Sequence, residues 1–134
     1  MIRGLIFDLD GTLVDSLPGI ATALNHALDD IKLPNHPQDV VETFIGDGLL
    51  NLVTRALSPD HSNQQNELLS AFQKHYSEDW KNGTYPYPGF IALLQELQKS
   101  KLPMAVLSNK PHGYTVEIVE TLFPQKLFSQ VRGH

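Results

Sequence analysis

Leu5-Ile6-Phe7 is an unalternating apolar run that stops at Asp8-Leu9-Asp10 and meets Gly11 at once. An apolar segment this short, closed by charge and glycine, has the pattern of a strand buried on both faces that ends in a loop. It predicts a first strand over residues 2–8. Strands of this kind belong to parallel sheets, and in open parallel sheets ligands gather beyond the carboxyl ends of the strands. Asp8 and Ser108 both stand at such ends.

After the loop the pattern turns helical. Ser16 can cap a helix that tolerates Pro18 in its first turn, and Ile20, Leu24, Ala27, Leu28 and Ile31 recur at helical spacing. Leu33-Pro34-Asn35-His36-Pro37 breaks that pattern, which resumes through Val40, Val41 and Phe44 until Gly46-Asp47-Gly48 interrupts it. A third helix is expected over Leu49 to Leu57. A fourth is expected from Asn63 to Trp80, with Leu68, Leu69, Phe72, Tyr76 and Trp80 on one side. Tyr85-Pro86-Tyr87-Pro88-Gly89 then marks a boundary. Beyond it, Phe90 to Leu97 reads as a helix and Met104-Ala105-Val106-Leu107 as a second buried strand ending at Ser108-Asn109. Tyr114 to Leu122 reads as another helix and Leu127 to Val131 as a third strand.

The order strand, helix, strand, helix, strand implies an α/β fold: a parallel Rossmann-like core sheet with right-handed crossovers. About seventy residues of helix are inserted after the first strand. The expected division is a core of residues 1–14 and 86–134 with a helical domain over 15–85.

Composition narrows the chemistry. With fifteen acidic residues against ten basic ones, net charge −5, the chain has no basic excess for a phosphate backbone, so nucleic acid is not an expected partner. The absence of cysteine excludes disulfides, thiolate nucleophiles and cysteine-based metal sites. The six histidines show no paired ligand spacing for zinc. No run approaches the ~18 apolar residues of a membrane span, and the N-terminus lacks a signal-peptide core. A cytoplasmic location without membrane partners is the expectation.

Asp8 and Asp10 lie two residues apart, and period-two geometry sends both side chains towards one side. Two such carboxylates repel when both are ionised, so they either bind a divalent cation or divide the work of nucleophile and general acid. Gly11 permits a sharp turn whose N–H groups can hold a phosphate.

The string Asp8-Leu9-Asp10-Gly11-Thr12-Leu13, continued by Val14-Asp15-Ser16, resembles the first motif of the haloacid dehalogenase superfamily. The helical insert resembles that superfamily's small α-helical cap. Leu107-Ser108-Asn109-Lys110 resembles its second motif, and Ile45-Gly46-Asp47-Gly48-Leu49-Leu50-Asn51-Leu52-Val53 with Arg55 is similar to the cap loop of the phosphoglycolate phosphatase group. This resemblance implies a phosphatase of a small phosphorylated metabolite. Asp8 is the implied nucleophile and Asp10 the implied general acid and base. Mg²⁺ is the implied cofactor, held by the Asp8 carboxylate and the Asp10 carbonyl. Ser108, Asn109 and Lys110 are implied phosphate ligands, Thr12 supports the loop, and Gly46, Gly48 and Arg55 belong to a substrate loop of the cap.

Each role has a plainer counterpart. Ser108 and Asn109 could cap the following helix, Lys110 could be solvated, Gly46 and Gly48 could form an ordinary helix–helix turn, and Arg55 could be a surface charge. The superfamily's later lysine and acidic-pair motifs have no match before His134, so the core is expected to be incomplete at the C-terminus. The first strand is then expected to be exposed along one sheet edge, inviting self-association and leaving this 134-residue chain inactive. The competing expectations are a non-catalytic truncated fragment that binds phosphate or a partner chain, and a sugar-phosphate mutase.

Overall fold

A computed structural model describes all of residues 1–134. The elements run β1 (Leu5–Phe7), β2 (Val14–Asp15), α1 (Leu17–Asp30), α2 (Gln38–Glu42), α3 (Leu49–Ala56), α4 (Gln65–Asp79), β3 (Tyr85–Pro86), α5 (Phe90–Lys99), β4 (Met104–Leu107), α6 (His112–Leu122) and β5 (Gln130–Arg132). They form two compact units, one of Met1–Asp15 with Tyr85–His134 and one of Ser16–Thr84.

The first unit is built on a parallel sheet of order β1-β4-β5. Because that order steps in one direction, right-handed crossovers put α5 and α6 on the same face of the sheet. The burial pattern records it. Met104 and Val106 are buried, with Leu94 of α5 and Ile118 and Val119 of α6. Phe7 meets the Phe128 ring at 6.3 Å, and Phe128 meets Phe123 at 5.8 Å, both edge-on. On the opposite face Ile6 is 73% exposed and Leu107 58%. The expectation of a first strand buried on both faces is therefore corrected. Apolar content predicted burial, but no helix in these residues covers that face.

Element ends shift as hydrogen bonding requires. The expected strand at 127–131 begins later, at Gln130, because Leu127 turns into the core while Ser129 binds the Met104 carbonyl through both its N–H and its hydroxyl. A short antiparallel pair, β2 with β3, joins the two crossing points of the chain.

In the helical unit, α1 buries Ile20, Leu24, Ala27 and Leu28, and α4 buries Leu68, Phe72 and Tyr76, the last two rings stacked at 5.3 Å. The expected fourth helix loses its ends to tighter 3-10 turns at Pro59–Gln64 and Trp80–Gly83. Ser16 occupies the cap position of α1, but its side chain makes no capping bond. The connection after α1 is pinned by Asn25, whose amide side chain donates to the His36 carbonyl and accepts from the His36 N–H, each at 2.9 Å. His36 Nε2 donates in turn to the Ala56 carbonyl at 2.8 Å.

Gly83 lies directly on α1: a Cβ there would stand 2.3 Å from Gly19 N and 2.5 Å from Gly19 Cα. Backbone cannot rotate away as a side chain can, so overpacking here forces the helix and the turn apart. Gly83→Ala is expected to destabilise the protein by about 3 kcal/mol in urea unfolding. Gly113→Ala, with open space around its Cβ, should change stability little.

Candidate functional site

The site begins with the way the chain leaves β1. The Leu9 carbonyl accepts the N–H groups of Thr12, Leu13 and Val14 at 3.1, 2.9 and 3.1 Å, and Gly11 N–H donates to the Val14 carbonyl at 2.9 Å. Gly11 sits at φ 77°, a left-handed conformation that glycine adopts without strain. Leu9, Leu13 and Val14 are fully buried and anchor the loop. This wrap overturns one expectation: the turn's amides from Gly11 to Val14 are spent within the loop and offer no cradle for a phosphate.

The loop presents its two carboxylates unequally. Asp8 is exposed, with Oδ1 accepting the Leu9 N–H at 2.7 Å. Asp10 is nearly enclosed, and its Oδ2 lies 3.1 Å from the Lys110 ammonium. The Asp10 side chain is only 13% exposed and that of Lys110 8%. At that burial an uncompensated charge is costly, so each charge requires the other. Lys110 is thus not a solvated lysine.

Lys110 comes from the loop after β4. Ser108 is buried, its N–H donates to the Arg132 carbonyl at 3.0 Å, and its Oγ accepts the Lys110 N–H at 3.1 Å. That i to i+2 bond makes a tight turn and replaces the helix-capping role open to serine. The residue before α6 is Pro111, so neither Ser108 nor Asn109 occupies the capping position. Tyr114, one turn into α6, is a neighbour that no motif singles out. Burial pushes its hydroxyl above the ordinary tyrosine pKa, the Lys110 charge pulls it back in part, and Glu117 raises it further.

The structure therefore brings Asp10 and Lys110 into contact, with Ser108 bonded to the Lys110 backbone. Thr12 is half-buried in the same loop as Asp8, and Asn109 is exposed beside Ser108. Gly46, Gly48 and Arg55 belong to the helical unit. Both glycines have positive φ, 117° and 89°. Arg55 is engaged inside its own loop: its guanidinium pairs with the Asp47 carboxylate and donates to the Phe44 carbonyl at 3.2 Å. No group of three or more His, Asp or Glu side chains is arranged to hold a metal. The groups that Asp8 and Asp10 themselves offer, two carboxylates and the Asp10 carbonyl, are all oxygen donors, a set suited to a hard cation such as Mg²⁺ that keeps several waters. No helix is long and apolar enough to cross a membrane.

Comparisons with known proteins agree on what this arrangement is similar to. The phosphoglycolate phosphatase of Escherichia coli K12 is 35% identical over 98% of this chain and 61% of its own length. A predicted phosphoglycolate phosphatase from Haemophilus somnus superposes with a TM-score of 0.90 at 32% identity, over 98% of this chain and 62% of that one. A haloacid dehalogenase-like family protein from Streptococcus pneumoniae gives 0.88 at 27% identity, over 99% and 61%. The chain spans about three-fifths of the length of the curated relatives it matches. The family profile described as haloacid dehalogenase-like hydrolase matches residues 5–134, nearly the whole chain, and the chain belongs to that family.

Proposed function

We propose that this protein is a Mg²⁺-dependent phosphomonoester hydrolase of a small phosphorylated metabolite, of the phosphoglycolate kind, working through an aspartyl phosphate. The observation that carries the reading is the inequality of the two carboxylates: Asp8 is exposed and available to attack, while Asp10 is enclosed and held by Lys110. Relatives named phosphoglycolate phosphatase support the substrate class.

In the first step the arriving phosphate draws the Lys110 ammonium off Asp10, which takes up a proton from water; an Asp8 oxygen then attacks phosphorus, the bond to the ester oxygen breaks, and Asp10 passes that proton to the departing alkoxide. In the second, Asp10 takes a proton from water, whose oxygen attacks the same phosphorus. Inorganic phosphate leaves and the Asp8 carboxylate is restored. Mg²⁺, when bound by the Asp8 carboxylate and the Asp10 carbonyl, would screen the approach of a phosphate dianion to a carboxylate. The phosphate competes with Asp10 for the Lys110 ammonium, with Ser108 and Asn109 binding further phosphoryl oxygens and Thr12 steadying the loop. On this reading Gly46, Gly48 and Arg55 of the helical unit select among substrates.

A second reading has its own observation. Ile6 is 73% exposed on a strand whose outer edge pairs with nothing, and such an edge recruits another strand. We propose that residues 1–134 alone self-associate along β1 and, with so few metal donors, release phosphate slowly. A sugar-phosphate mutase, the remaining alternative, would return the phosphoryl group to its product.

Phosphate release from a panel of phosphoesters, with and without Mg²⁺, tests the reading. With the natural downstream segment supplied, phosphoglycolate is expected among the preferred substrates, chelation is expected to stop turnover, and Asp8→Asn is expected to lower kcat at least about a thousandfold while leaving the fold intact. A fluoride-based phosphoryl mimic trapped on any residue other than Asp8 would refute the nucleophile. Gly48→Val should shift the substrate profile more than the stability. Sedimentation of the 134-residue chain should show association that Ile6→Lys abolishes; a monodisperse monomer with ordinary turnover would rule out the second reading.

A further inference from the structure

The chain does not leave the sheet at the end of β5. The Arg132 carbonyl accepts the Ser108 N–H, and the next two residues run along the loop that carries Lys110. His134 N–H donates to the Lys110 carbonyl at 2.9 Å, and His112 N–H donates to the His134 carbonyl at 3.0 Å. Gly133 N–H donates to the His112 imidazole, at Nδ1, at 3.1 Å. The Lys110 carbonyl also takes the Thr115 hydroxyl at 3.2 Å, so its backbone is held from both sides.

This crossing has room for one residue type. A Cβ on Gly133 would stand 2.5 Å from the Lys110 carbonyl oxygen, 2.6 Å from His112 Cα and 2.6 Å from Thr115 Oγ1. Two of those atoms are backbone and the third belongs to a fully buried side chain, so none can move aside cheaply. Any side chain at 133 therefore pushes on the peptide that sets the position of Lys110.

We propose that Gly133 and His112 are positioning residues that hold the Lys110 ammonium on Asp10. The two act through Lys110: Gly133 by letting the chain lie against the Lys110 carbonyl, His112 by accepting the Gly133 N–H and fixing the crossing. The backbone clamp matters because a lysine side chain has four rotatable bonds, and an ammonium enclosed at this depth stays there only if its root is fixed. The positional claim is independent of the reaction; only its catalytic consequence rests on reading Asp10 as the proton-transfer group.

Acylation of the folded 134-residue chain with a water-soluble amine-reactive acetyl ester, resolved lysine by lysine by mass spectrometry, tests it. In the unaltered chain Lys110 should react about tenfold more slowly than Lys99 and Lys101, since burial admits reagent only on local opening. Gly133→Ala should remove most of that protection with Lys99 and Lys101 unchanged, and His112→Ala should remove part of it. Gly113→Ala, beside His112 but with open space at its Cβ, should remove none. Asp8→Asn should also leave Lys110 protected, so failure of the proposed reaction and failure of the clamp are separable. If Gly133→Ala unfolds the chain, seen as loss of its helical circular dichroism, His112→Ala decides. Full protection of Lys110 in folded His112→Ala, or in folded Gly133→Ala, overturns the proposal.

Discussion

The enclosed ion pair between Asp10 and Lys110 organises the sheet unit. Two opposite charges 3.1 Å apart, each largely withdrawn from water, are favourable only if both loops that carry them are rigid. The loop after β1 achieves this by gathering its amides on the Leu9 carbonyl and sinking Leu9, Leu13 and Val14 into the core. The loop after β4 achieves it through the Ser108 turn and the crossing strand end at Gly133. Rigidity on both sides leaves Asp8, one step outside the wrap, as the exposed carboxylate.

The sheet itself is asymmetric for a topological reason. Strands added in one direction with right-handed crossovers receive helices on one face only. Phe7, Met104 and Val106 have α5 and α6 to pack against, whereas Ile6 and Leu107 have nothing in these residues. The bare face and the open edge of β1 are properties of these 134 residues, and they give the sheet an apolar surface that the rest of the unit does not offer.

Much of this was legible in the sequence because it depends on local signals. An apolar run ended by Asp8 places β1, helical spacing places α1 and α4, and the Pro-Gly cluster after Tyr85 places the return to the sheet. The motif around Asp8 and Asp10 carried the family. The features that stayed hidden depend on the third dimension. Ile6 is as apolar as a core residue, and only strand order shows that its face is uncovered. Lys110 has no spacing that distinguishes a buried lysine from a solvated one; its burial follows from parallel pairing of β1 with β4, which sets the two loop ends side by side. The turn amides counted as phosphate donors were already consumed by the Leu9 and Val14 carbonyls, a choice that glycine and threonine in a string cannot reveal. Gly133, near the chain end, carries no motif of its own and acquires meaning only from the atoms its missing Cβ would strike.

A double-mutant cycle on stability isolates the dependence of the two charges on each other, with Asp10→Asn, Lys110→Met and the pair unfolded in urea. If the two side chains are mutually dependent enclosed charges, each single change should destabilise by about 3 kcal/mol and the double change by far less than the sum, a coupling of at least about 2 kcal/mol. Effects that add to within about 0.5 kcal/mol would show that neither charge depends on the other, and the ion pair would lose its place as the organiser of the sheet unit.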